Sequence, residues 1–245
     1  MKRTLEIDVW SDVACPWCWI GKRRLEAAIA AFETRHAGDD VAIDVHWRAF
    51  ELDTSAPRTH VPQGSYASRI AKKYGTSVEQ AQQMLTNMTE TAAAEGLLFD
   101  FTKTKPGNTF DAHRLIHFAD HHDKQDAMKE RLLRAYFSEG EHMADAETLV
   151  RLAAEVGLDA DEARAMLASD AFAKNVRADE TEARAMGVGG VPFFVIDRRL
   201  GVEGAQPAEV LGRVLDRAFA DGRLERIERV STGEAPICDD DVCAT

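Results

Sequence analysis

Strand-like alternation occurs near the start of this chain and returns only after residue 190, and that separation restricts its fold more than any other feature. TLEIDVW (4–10) places Leu5, Ile7 and Val9 on one face, and VAIDVHWRAF (41–50) does the same with Val41, Ile43, Val45 and Trp47. Between them Ile20, Leu25, Ala28, Ile29 and Phe32 recur at helical spacing. A strand, a long crossover helix and a strand predict a parallel βαβ unit. Residues 65–186 then read as helix after helix. Ser77 with Gln80 and Asp159 with Glu162 have capping-box spacing, and Gly75, Gly96, Gly140, Gly157 and Gly187 fall where glycine ends a helix. VPFFVIDRRLGVEG returns to strand composition with a turn near Asp197–Arg199, and Pro207 opens a last amphipathic helix, PAEVLGRVLDRAFA. The pattern is an α/β domain interrupted by a helical insertion.

Composition narrows the function. A formal charge of −12 over 245 residues argues against a sequence-independent grip on nucleic acid or an anionic membrane surface. No apolar run approaches the roughly 18 residues of a membrane span. MKRTLEIDVW has basic residues but no apolar stretch behind them, so the expected location is cytoplasmic. The four cysteines, Cys15, Cys18, Cys238 and Cys243, form two close-spaced pairs. In a reducing compartment such pairs point to redox chemistry or metal rather than to structural staples.

SDVACPWCWIGKRRLE (11–26) carries the first pair. Pro16 suits the first turn of a helix, which puts Cys15 at the helix N-terminus, where unpaired N–H groups and the dipole favour a thiolate. That setting is expected to lower the thiol pKa from its usual value of about 8.5. Cys18 lies one turn on, on the same side, and could attack a mixed disulfide formed at Cys15. Trp17 offers apolar surface to a substrate. A bare C-x-x-C could equally be half of a zinc site. GVGGVPFFV (187–195) shifts the balance, because a Val-Pro step entering a strand is a place for a cis bond.

CPWCWIGKRRLE (15–26), WRAFELD (47–53), NTFDAHRL (108–115), YFSEGEHMAD (136–145) and GVGGVPFFVID (187–197) together resemble the DsbA family of thioredoxin-fold thiol–disulfide oxidoreductases, and most closely its FrnE-like branch. The similarity runs over nearly all of residues 4–220. It implies a thioredoxin-like domain from residues 1–58 and 180–228 and a helical insertion domain at 59–179; the tail at 229–245, with its C-x4-C pair, lies beyond the family's usual end. It further implies Cys15 as the exposed nucleophile, Cys18 as the resolving thiol and Pro192 as a cis-proline against which a substrate backbone lies. Pro16, Trp17 and Val191 would join Pro192 in substrate binding. Asn108, His113 and Arg114 match a family motif and would line the cleft. The implied partners are protein or small-molecule disulfides and thiol donors such as glutathione or thioredoxin, with no cofactor or resident metal. Without an export signal, isomerisation or reduction is favoured over net oxidation.

Weaker signals remain. CDDDVC (238–243) could close a small structural ring, form an accessory redox pair or join a metal site. A tail of that length reaches roughly 60 Å when extended, enough to touch Cys15. His113, His117 and His121 recur at four-residue steps, but core or solvated histidines are the simpler reading. Asp12 is a candidate proton acceptor or a turn residue. Lys22, Arg23 and Arg24 are expected on the exposed face of the first helix. Two other functions compete. The kappa glutathione transferases and chromene-carboxylate isomerases are similar in architecture but carry serine where Cys15 stands. A holdase chaperone or metal-binding protein would use the cleft and need no thiol chemistry.

Overall fold

The computed structural model describes residues 3–59 and 64–221, with the backbone of residues 228–229 and 238–239. Strand β1 (Arg3–Ser11), helix α1 (Pro16–Arg35) and strand β2 (Val41–Ala49) form the expected unit, with β1 and β2 parallel over their whole length. The helical block follows as α2 (Tyr66–Tyr74), α3 (Val78–Ala94), α4 (Phe110–Asp120), α5 (Gln125–Arg134), α6 (Ala146–Glu155), α7 (Ala160–Leu167) and α8 (Ala173–Ala185). A π-helical turn, Ala135–Glu139, extends α5. Strands β3 (Gly190–Val191), β4 (Phe193–Ile196) and β5 (Leu200–Glu203) and helix α9 (Ala208–Asp221) complete the α/β part. Two further short strands are β6 (Glu228–Arg229) and β7 (Cys238–Asp239). The main sheet runs β2-β1-β4-β5-β6, with β4 antiparallel to both β1 and β5. This is a thioredoxin-like fold with helices inserted between β2 and β3.

Local chemistry fixes the helix ends. Ser77 and Gln80 form a reciprocal capping box on α3, and Asp159 accepts from the backbone N–H groups of Asp161 and Glu162. Gly75, Gly96, Gly140, Gly157 and Gly187 all have positive φ, the conformation that ends a helix at least cost with glycine. Asp197 and Arg198, both at φ above 50°, make the tight turn between β4 and β5.

Alternation in β1 suggested one buried face, yet the later half of the strand is buried on both. Leu5, Ile7 and Val9 pack into the core, while Trp10 on the other face donates its Nε1–H to Asp179 O of α8 at 2.9 Å. The helical block also closes the edge of β2. Gln125 Oε1 accepts from Trp47 N at 2.8 Å, Gln125 Nε2 donates to Trp47 O at 3.3 Å, and Asp179 Oδ2 accepts from Ala49 N at 2.8 Å. Edge N–H groups that would invite another strand are thereby satisfied within the chain. Trp19 ties α1 to the block, stacking on Phe99 and Phe137 at 5.5 and 6.2 Å.

The basic run of α1 departs from expectation. Lys22 is only 2 % exposed, because Glu26, Asp126 and Glu130 close over its ammonium at 2.5, 2.7 and 3.8 Å. Arg23 and Arg24 are partly buried too, paired with Glu130 and Glu95. The face read as solvated is the seam between α1 and α5. No described helix is long and apolar enough to cross a membrane.

Candidate active site

Cys15 is the N-cap of α1, with extended backbone (φ −94°, ψ 116°) and Pro16 starting the helix. Its side chain does not cap the helix, so the sulfur is left to face the loop opposite. There the Val191–Pro192 peptide bond is cis, and the Cys15 thiol donates to Val191 O at 3.6 Å. Cys18 N donates to Cys15 O at 3.1 Å as the helix begins, bringing the second sulfur beneath the first. Both thiols are free. Gly21, one turn further, permits this approach. A Cβ there would stand 2.9 Å from Pro192 Cγ and 3.3 Å from Phe194 Cζ.

The expected exposure of Cys15 is overturned: both sulfurs are fully buried, with Pro16 and Trp17 also buried around them. The expected fall in the Cys15 pKa is overturned with it. Burial pushes this thiol well above the usual cysteine value, and the neighbouring Cys18 and the Asp12 charge act in the same sense. The backbone N–H of Cys18, at the helix start, pulls it down. A helix terminus contributes typically 0.3–1 kcal/mol, whereas removing an ion from water costs several. Burial wins in this closed dithiol state.

The floor of the site is polar and buried. Asp12 Oδ1 accepts from Ala14 N and faces His113 Nε2, both at 3.3 Å, while Oδ2 accepts from Leu52 N at 2.9 Å. Burial would raise the Asp12 pKa, but His113, the Leu52 N–H and the charge of Lys129 outweigh it and hold the carboxyl below its usual range. His113, on α4, thus enters the site through Asp12. Asn108 donates to Glu51 Oε1 at 3.1 Å, and its own Oδ1 accepts from Phe110 N. Arg114 binds the carbonyls of Met166, Leu167, Ser169 and Ala171. All three motif residues are buried in this state and present little surface to a cleft. His117 pairs with Asp179 at 2.9 Å.

Tyr66 and Lys129, absent from the sequence reading, also belong here, with Tyr136 of the YFSEGEHMAD segment. Tyr66, half-buried, and Tyr136, buried, lie near the pair; burial pushes Tyr66 up to about 12 and raises Tyr136 well above the usual tyrosine value, so both stay neutral. Lys129, on α5, is fully buried, with Nζ 3.3 Å from Ser11 O. Its position carried a signal: Gln125, Met128, Lys129, Leu132 and Leu133 form the buried stripe of α5, and a lysine in such a stripe is anomalous.

The tail residue Cys238 is described in its backbone alone, where β7 pairs antiparallel with β3 and sets Cys238 opposite Val191. Its side chain and all of Cys243 lie outside the described residues.

A thioredoxin-like sheet, a C-x-x-C helix start and a cis-proline loop facing it define a dithiol protein of the thioredoxin class. The model of the DSBA-like thioredoxin domain matches residues 6–216, and the chain belongs to that family. It is similar to a probable DsbA oxidoreductase of Streptomyces coelicolor, with 41% identity and a TM-score of 0.82 over 98% of this chain and 99% of that one. A Bacillus subtilis protein, YwbO, of uncharacterised function, is 33% identical over 159 residues, covering 64% of this chain and 68% of its own. The cytosolic disulfide reductase DsbM of Pseudomonas aeruginosa, solved with GSH, shares the fold at 21% identity and a TM-score of 0.55, over 87% of this chain and 96% of its own.

Proposed function

We propose that the protein is a cytoplasmic thiol–disulfide oxidoreductase of the FrnE-like branch, acting as a protein disulfide isomerase or reductase. The observation that carries this reading is the Cys15 thiol at the start of α1, 3.6 Å from the carbonyl that precedes a cis-proline. Cys15, as thiolate, attacks a substrate disulfide. A Cys15–substrate S–S bond forms, the substrate's own S–S bond breaks, and the leaving sulfur takes a proton. Cys18 then attacks Cys15 Sγ, closing the Cys15–Cys18 disulfide and releasing the second substrate thiol. In isomerisation the substrate's own thiol resolves the intermediate instead. Two equivalents of a thiol donor such as glutathione, or one of thioredoxin, restore the dithiol.

Pro16, Trp17, Val191 and Pro192 would form the substrate's seat, with Asn108 and His113 supporting it from below. The edge of β3 that a peptide backbone would take is the edge β7 lies on. Cys238 and Cys243 are accordingly part of the proposal as an accessory pair exchanging with Cys15 and Cys18, a reading supported by the backbone pairing of Cys238 with Val191. A small-molecule isomerase is the weaker reading, because a second thiol below Cys15 has no use in it.

Dithiothreitol-driven insulin reduction tests the assignment. The protein should accelerate it, Cys15→Ser should abolish the effect, and Cys18→Ser should accumulate mixed disulfides. Full activity in Cys15→Ser would sink the assignment. Deleting residues 232–245 should leave insulin reduction intact and alter isomerase turnover; unchanged turnover would remove the tail from the mechanism.

A further inference from the structure

We infer that the C-terminal segment, through Cys238 and Asp239 of β7, holds in cis the strand position of an extended polypeptide substrate and competes with it by backbone pairing, independently of the tail thiols. The inference rests on the proposed function in one respect, that the edge of β3 is the substrate's seat. β7 runs antiparallel to β3, with Cys238 opposite Val191 and Asp239 opposite Gly190. Val191 is the residue whose carbonyl accepts from the Cys15 thiol, at 3.6 Å. Gly190 and Val191 are both buried, and among the described residues β7 is the one strand paired with β3. A substrate chain that brings its disulfide to Cys15 along this edge meets the tail already in place.

The segment is rooted close by. Before β7, β6 joins the edge of the main sheet parallel to β5, with Glu228 opposite Leu200 and Arg229 opposite Gly201. Residues 230–237 link the two short strands. A two-residue ladder formed in trans is weak, because each backbone bond replaces one to water. A short tether changes this by presenting the strand at an effective concentration on the order of a millimolar. With a free-segment Kd of about 0.1 mM, the tether keeps the edge closed about nine-tenths of the time, and a competing peptide binds about tenfold more weakly than to an open edge.

The mode of pairing defines the competitor. Main-chain hydrogen bonds supply the affinity of an added strand whatever its side chains are. The tail therefore competes with any extended segment, and the substrates it screens are polypeptides in extended conformation rather than small disulfides, which form no ladder.

A sulfur-free probe tests this without thiol exchange. A fluorescein-labelled peptide with the sequence of residues 232–245, serine at both cysteine positions, is titrated with reduced full-length protein and followed by anisotropy. Wild type is compared with Cys238→Pro/Asp239→Pro, which removes both N–H groups of β7, and with Cys238→Ser/Cys243→Ser, which keeps them. The proline variant should bind the probe about tenfold more tightly than wild type, and the serine variant should bind as wild type does. Equal affinity in all three overturns the inference, and so does the absence of binding to the proline variant at about 1 mM, the concentration that the tether itself supplies. Tightening in the serine variant equal to that in the proline variant would assign the competition to the tail thiols and refute it as well. Failure of insulin reduction with the competition intact would refute the proposed function and spare the cis pairing; normal reduction with no competition would do the reverse.

Discussion

Replacing Lys129 with methionine should make the protein more stable at neutral pH. The wild-type ammonium is fully buried, and burial lowers its pKa from 10.5 to about 8 even after the attraction of Cys18, Asp12 and Cys15 is counted. At about 1.4 kcal/mol per unit, keeping the lysine charged in the folded state costs roughly 3 kcal/mol at pH 7. Methionine fills similar volume without charge but leaves the Ser11 carbonyl without its donor, a loss of about 1 kcal/mol. The net gain is about 2 kcal/mol. The pH dependence separates these two contributions. For a base whose folded pKa is depressed, the unfolded chain binds more protons between the two values, so wild-type stability rises with pH from about 8 to 10.5. The advantage of Lys129→Met should therefore shrink through that window and reach about zero near pH 10. Urea unfolding followed by tryptophan fluorescence, with both proteins reduced, reads the difference, and the thiols' own titration cancels in it to first order. A variant destabilised by several kcal/mol at pH 7, or a difference independent of pH, would show that Lys129 has an anionic partner and that its charge is not a net burden.

Gly21→Ala should force the first helix away from Pro192 or distort Phe194, costing about 1–3 kcal/mol against a helix-propensity gain of up to about 1. A melting temperature several degrees lower, with slower insulin reduction, is expected, and an unchanged or raised melting point would refute the packing account. Ser77→Ala removes the side-chain half of the capping box on exposed α3, the Oγ that accepts from Gln80 N, while the residue-77 N–H to Gln80 Oε1 stays, and should cost about 1 kcal/mol in urea unfolding with insulin reduction untouched; no loss of stability would mean that solvent caps that end equally well.

What the sequence disclosed was what depends on near neighbours along the chain. Leu5, Ile7 and Val9 alternate, Ser77 and Gln80 sit three apart, and the glycines that end helices do so because φ must turn positive at those positions. The CPWC helix start and the Val191–Pro192 step were legible for the same reason, each being a short element with its own backbone demands. Burial of the thiols was not legible. A helix N-terminus and its dipole can be read from Pro16, but what covers the sulfurs comes from residues far along the chain. Lys22 shows the same limit. Its place beside Arg23 and Arg24 looks solvated on a helical wheel until Asp126 and Glu130, a hundred residues on, close over it. Lys129 stood in plain view as a lysine in an apolar stripe, but nothing local says that its ammonium meets the Ser11 carbonyl at the end of β1.

The helical block therefore does more than enlarge the fold. Gln125 and Asp179 satisfy the edge of β2, His113 anchors Asp12, and Lys129 meets the Ser11 carbonyl at the end of β1. A C-x-x-C helix start alone leaves the sign of the thiol pKa shift open, since the Cys18 N–H pulls one way and Asp12 the other. Burial exceeds both. Burial accordingly favours the protonated form of Cys15. Reaction requires water or substrate to reach Cys15 beside the Val191 carbonyl and the cis-proline loop.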